Sequence, residues 1–281
     1  MTTSQTVLLG AIAGLTIFLG LPLGRVRAHA VRGRAFLNAV SAGILVFLLF
    51  DILAHATEPV EEALTQAKDG TGGWGRFAGL GLVYVLGFGV GLLALFYLGR
   101  MWARGRPPRT SIGPGAMATA EADLGTSTAR TAALRTGMAI AAGIGLHNFS
   151  EGLAIGQAAH SGAISLAALL IIGFALHNTT EGFGIVGPLA AAGVRASWGW
   201  LALAGLVGGG PTFLGTVVGT SFESEFLFVG CLALAAGAIL YVIGELLPAG
   251  RRLSWEITLW GLLAGVVLGV GTDMVIAVAG G

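Results

Sequence analysis

The chain has 281 residues, 55% of them hydrophobic and 10% charged, with a formal net charge of +1 and a mean hydropathy of +0.85. Such a composition excludes an ordinary soluble domain, and arginines confined to a few connections give no support for nucleic-acid binding. A lone cysteine, Cys231, forms no internal disulfide, and its place in an apolar run suits a small core residue rather than redox chemistry.

From the amino end, Met1 to Thr6 lacks the basic region of a cleavable signal peptide, so the first apolar stretch reads as a retained helix. Apolar runs of membrane-crossing length predict eight spans, at 5–23, 35–56, 77–99, 132–159, 163–190, 197–220, 226–247 and 256–278. The prediction is all-α, with 1–281 forming one transmembrane transport domain. The abundance of glycine, 48 residues, predicts close helix packing, because small residues let backbones approach where lipid removes the hydrophobic drive to associate.

Connections between these spans alternate in charge. Arg25, Arg27, Arg32 and Arg34 follow span one, six arginines from Arg100 to Arg135 surround the third connection, and Arg195, Arg251 and Arg252 follow spans five and seven. The other side holds only Lys68 and Arg76, so the positive-inside rule places both termini outside the cytoplasm. The outer connections read as acidic loops, with Glu58, Glu61, Glu62 and Asp69 in one and Glu223 and Glu225 in another, able to concentrate cations. Residues 101–130, rich in Pro, Gly, Ala and Thr, read as a flexible cytoplasmic linker between helices three and four. In span six, Gly208-Gly209-Gly210-Pro211 predicts a break or kink.

Two matching polar strings interrupt spans four and five: Leu146-His147-Asn148-Phe149-Ser150-Glu151-Gly152 and Leu176-His177-Asn178-Thr179-Thr180-Glu181-Gly182. An ionisable side chain near the bilayer centre costs ~2.5–3.5 kcal/mol on insertion scales, so four of them imply a compensating partner. Residues four apart on a helix are about 40° apart around its axis, which puts His147 with Glu151 on one face and His177 with Glu181 on another. The short connection Ala159 to Gly162 makes the two helices antiparallel neighbours, so the pairs meet at one depth. Two neutral imidazoles and two carboxylates would cancel the charge of one divalent ion. Asn148 and Asn178, closer in angle to the glutamates, either ligate or hold a ligand, and Gly152 and Gly182 leave room for a helix or an ion. A proton relay is the other reading of these strings. Asp51 and His55, also four apart, suggest an entrance station for a cation, and Glu245 an exit station, although helix-end solvation and pairing with arginine serve as well.

These strings resemble the ZIP family of metal-ion transporters, particularly its bacterial GufA-like branch. The likeness extends to the eight spans, the long linker after the third, Leu49-Phe50-Asp51 and Gly244-Glu245-Leu246-Leu247-Pro248. It implies an eight-helix bundle in the bacterial cytoplasmic membrane that takes zinc, or iron, manganese or cadmium, into the cytoplasm by alternating access, as a homodimer. The implied metal ligands are His147, Asn148, Glu151, His177, Asn178 and Glu181, with the metal as cargo and no resident cofactor. The chain departs from the family pattern in carrying Ser150 and Thr180 where proline usually precedes each glutamate. Gly209-Gly210-Pro211 stands where many members have Glu-Pro, which predicts one ion rather than two, and the linker lacks a histidine cluster.

The chain reads as a transporter and not an enzyme. An intramembrane metal-dependent hydrolase is the first alternative, but the His-Glu-x-x-His string of zinc proteases is absent. A proton-coupled carrier of an organic substrate is the second, and bound transition metal distinguishes the two kinds of carrier.

Overall fold

Thr2 opens the first helix with a capping box: its hydroxyl accepts from the amide of Gln5, whose side-chain oxygen accepts from the amide of Thr2. In this computed structural model, which describes residues 2–25, 31–104, 114–160, 162, 164–222 and 224–280, helix then accounts for nearly all that follows. The elements are α1 (Thr3–Leu15), α2 (Ile17–Gly20), a 3-10 turn (Leu21–Arg25), α3 (Val31–Lys68), α4 (Trp74–Arg104), α5 (Pro114–His160), α6 (Ile164–Ala191), α7 (Trp198–Gly219), α8 (Glu225–Leu253) and α9 (Trp255–Gly280). No strand occurs among the described residues. Ser197 and Ser224 cap α7 and α8, each accepting from the backbone amide three residues on. Left-handed Gly162 (φ +81°) and Gly193 (φ +67°) turn the chain after α5 and α6, a conformation that a side chain would strain.

Six segments among the described residues are long and apolar enough to cross a membrane: Thr3–Leu23, Ala35–Lys68, Trp74–Ala94, Trp198–Gly219, Glu225–Arg252 and Trp255–Thr272. The protein is thus a helical membrane protein of several spans. One face of α4 bears this out, since Leu82, Val85, Leu86, Val90 and Leu93 are all more than half exposed, a contiguous apolar surface that lipid would cover. Helices α5 and α6, which carry the polar strings, are not among those six, and the strings themselves lie in the interior of the bundle. Helix α5 packs on α6, α7 and α8, while α6 packs on α1, α2, α3 and α9. Leu45, Leu48 and Ile52 of α3, Ile140 and Ile144 of α5, Ile185 and Leu189 of α6 and Ile239 of α8 form one buried apolar cluster around them.

Four features differ from the sequence-based expectations. The first span is interrupted at Thr16, whose hydroxyl sits 2.7 Å from the Ala13 carbonyl and 2.6 Å from that of Ala175 on α6, so a side chain takes over from the helical ladder. Span six, by contrast, has no break: helix continues through Pro211. Proline removes the amide partner of the Val207 carbonyl, and Gly145 of α5 lies so close to that oxygen that a Cβ would collide with it. Third, α3 runs on to Lys68, so Glu58, Glu61 and Glu62 lie on a helix rather than in a loop, with Pro59 inside it. Hydropathy marks where lipid ends, and the helix outlasts it by three turns because a solvated acidic run with Ala63 and Ala67 still favours helix.

Fourth, the stretch 101–130 divides: 101–104 end α4, 105–113 lie outside the described residues, and from Pro114 onward the chain belongs to α5. Glu223 also lies outside them. Cys231 is partly buried in α8.

Candidate metal centre

The two polar strings fall within α5 and α6, and helical geometry alone turns His147 and Glu151 to one side of α5 and His177 and Glu181 to one side of α6. Packing of the two helices then brings these faces together. His147 Nε2 lies 3.2 Å from Glu151 Oε1, and His177 Nε2 lies 3.6 Å from Glu181 Oε1. The two imidazole rings are 6.0 Å apart between centroids. One ligand atom from each of His147, Glu151 and His177 lies within 4.8 Å of the others. Ligand atoms around tetrahedral zinc are separated by ~3.4 Å, so a small inward movement would close the three on an ion.

This centre is buried. His147, Glu151 and His177 are each less than a tenth exposed, and Asn148, Asn178 and Glu181 are fully enclosed. Phe47 of α3 covers His177 at a ring-centroid distance of 6.1 Å. Hydrogen bonding in the cluster is incomplete: His147 Nδ1, Glu151 Oε2 and Glu181 Oε2 have no hydrogen-bond partner, and His147 Nε2 and Glu181 Oε1 have only the ion-pair contacts just given. A buried polar atom left unpaired costs about 1–3 kcal/mol, more for a charged one, and two enclosed carboxylates beside each other repel. A divalent cation answers both costs at once. The donor set of imidazole nitrogen and carboxylate oxygen suits zinc and its first-row neighbours.

The asparagines are used differently from the histidines. Asn148 Nδ2 donates to Asn178 Oδ1 at 2.6 Å and to the Gly208 carbonyl of α7 at 3.0 Å. Asn178 Nδ2 donates to the Ala13 carbonyl of α1 at 3.2 Å. The pair therefore ties α1, α5, α6 and α7 together beside the cluster, leaving Asn148 Oδ1 as the amide oxygen without a hydrogen bond. Ser150 and Thr180 bond back to the carbonyls of Leu146 (3.4 Å) and His177 (2.7 Å) on their own helices. The space beside Gly152 and Gly182 is filled by helix: a Cβ at Gly152 would strike the Thr212 carbonyl of α7, and one at Gly182 the Ile17 carbonyl of α2.

Asp51 and His55 sit on α3, where His55 Nδ1 is 2.9 Å from the Asp51 carbonyl and 3.5 Å from its carboxylate. His55 is more than half exposed, and Asp51 is near enough for its charge to act on His147, Glu151 and Glu181. Glu245 lies on α8, but its side chain falls outside the described set.

Two contributors escape a reading of the sequence. Thr16 joins the break in the first span to α6, with Thr179 Oγ1 also 3.4 Å from the Thr16 carbonyl. Thr212, fully buried with an unpartnered hydroxyl, lies on α7 one turn after Gly208, whose carbonyl Asn148 has claimed. A threonine in an apolar helix gives no sequence signal for either role. In comparisons with known proteins, no family model and no curated protein matches the chain.

Proposed function

We propose that the protein is a divalent transition-metal transporter of the ZIP type, carrying zinc foremost, with iron, manganese and cadmium as related cargo. The single observation that supports this is the convergence of His147, Glu151 and His177 in the interior of a membrane-helical bundle, their ligand atoms within 4.8 Å. In this reading α5 and α6 also cross the membrane, giving eight spans with both termini outside. The arginine-rich connections then face the cytoplasm of a bacterial cell, and metal moves inward across its cytoplasmic membrane, carried by a homodimer.

Cargo must lose its water on one side and leave on the other. Imidazole and carboxylate bind a first-row ion firmly yet exchange it, whereas thiolates hold it harder, and the lone Cys231 is not part of the cluster. Glu181 enters as the second carboxylate, matching the charge of the ion. Asp51 and His55 supply a first contact for the arriving cation.

The test is isotope uptake into proteoliposomes in the presence of competing ions, comparing the intact protein with His177→Ala and Glu151→Ala. Saturable zinc uptake that both substitutions abolish is the expected result. Purified protein that binds no transition metal after zinc is added, and moves none, would defeat the proposal and leave a carrier of another substrate.

A further inference from the structure

A cavity of about 290 Å³ opens between the C-terminal part of α5 and the first turn of α8, lined by Ala154, Gln157, Ser224, Glu225 and Phe228. It lies at the end of the bundle opposite Arg195, Arg251 and Arg252. Along α5, Ala154 and Gln157 stand ~4.5 and ~9 Å beyond Glu151, so the cavity begins about one turn from the metal centre. Its charge is fixed by a cluster across three helices. Arg76 of α4 donates through Nε to Glu225 Oε2 at 2.9 Å and through Nη2 to Glu225 Oε1, while Nη1 donates to Gln66 of α3 at 2.6 Å. Glu62 lies 4.0 Å from the same guanidinium. One cation between two carboxylates leaves the cluster at −1, enough to offset the positive amino end of α8.

We propose that this cavity is a waiting site for a hydrated divalent cation, held through its water shell by Glu225 and Gln157; the inference rests on the transport reading above. Six waters at ~30 Å³ each occupy ~180 Å³, which the cavity accommodates. A carboxylate has about four lone-pair positions, and a bidentate arginine uses two, so Glu225 keeps two for the water shell. Arg76 thereby aims the carboxylate and also weakens its pull, which suits a site that passes its ion on. The amide of Gln157 supplies a further acceptor on the opposite wall.

The test uses the full-length protein in proteoliposomes with Cys231→Ser and a reporter, Gln157→Cys or, separately, Ala154→Cys. Each is labelled with positively and negatively charged methanethiosulfonates of similar size. With rates divided by those for a free thiol in solution, the positive reagent should still react several-fold faster, and hexaamminecobalt(III), a mimic of a hydrated cation, should slow it. Glu225→Gln should reduce that preference several-fold and Arg76→Gln should increase it. A purely structural ion pair predicts the same opposite shifts in charge preference but no protection by hexaamminecobalt(III). Unreactive reporters, or labelling that hexaamminecobalt(III) does not slow, would overturn the proposal. These readouts need no transport: failed uptake with the charge preference intact defeats the transporter reading alone, and normal uptake with no preference defeats the waiting site alone.

Discussion

Asn148 and Asn178, thirty residues apart, share a 2.6 Å hydrogen bond from Nδ2 to Oδ1 directly beside the histidines they follow in sequence. Because the same two amides also reach carbonyls on α7 and α1, the backbone that follows each histidine is tied to two further helices. The placement of the two polar strings is therefore a property of four packed elements rather than of a single helix.

Replacing either asparagine by leucine removes this anchor and takes a side-chain amide donor from the Gly208 or the Ala13 carbonyl. Each single substitution should cost about 1–3 kcal/mol. In a double-mutant cycle the Asn148–Asn178 coupling should be ~0.6–1.7 kcal/mol, the range for hydrogen bonds within membranes. Reversible unfolding in mixed micelles measures both, and a coupling of zero would mean that the two side chains do not meet.

The two glutamates should differ in zinc affinity. Glu151 belongs to the cluster within 4.8 Å, whereas Glu181 is set 3.6 Å from His177 and outside that group of three. Calorimetric titration should find that Glu151→Gln and His177→Ala weaken zinc binding by more than ~100-fold. Glu181→Gln should weaken it by only about 10-fold, the scale of a group that supports a ligand. Equal losses at the two glutamates would place both carboxylates on the ion.

Metal should also stabilise the fold, because the ion pairs polar atoms that are otherwise buried without partners. At a hundredfold excess over its Kd, zinc should add about 2.7 kcal/mol, read as a higher melting temperature in detergent. A chelator should reverse the rise. His147→Ala should melt at one temperature with or without zinc.

Glycines around the centre offer a packing test. Gly152→Ala and Gly182→Ala each drive a methyl group into a backbone carbonyl that cannot turn away, and overpacking of this kind costs about 1–3 kcal/mol. Gly184→Ala is the control: nothing lies within 4 Å of the added atom, and helix propensity favours alanine by up to ~1 kcal/mol. Thermal unfolding should rank Gly184→Ala at or above the parent and the other two below it.

The pairing of His147 with Glu151 and of His177 with Glu181 was legible in the sequence because helical spacing is rigid, and the short Ala159–Gly162 connection forced the two helices side by side. Direction along a helix is encoded locally. What was not legible depends on a partner helix: Thr16, where the first span breaks, meets the Ala175 carbonyl of α6, and the Val207 carbonyl, whose amide partner Pro211 removes, lies against Gly145 of α5. The length of α3 was hidden for another reason, since the apolar run ends near residue 56 while the backbone ladder has no cause to stop there. Likewise the hydrogen bond from Asn148 to Asn178 follows from where two helices touch, which composition does not state.

The interruption at Thr16 has a consequence for biogenesis. Its second acceptor carbonyl, on Ala175, is 159 residues further along the chain. During synthesis the first segment must therefore wait in the bilayer with Gly10 and Gly14 facing lipid and the hydroxyl turned back on the Ala13 carbonyl until α6 and α7 emerge and dock. The earliest helix to be made is then among the last to be finished, and a chain truncated before residue 175 should be a ready client for the membrane quality-control proteases.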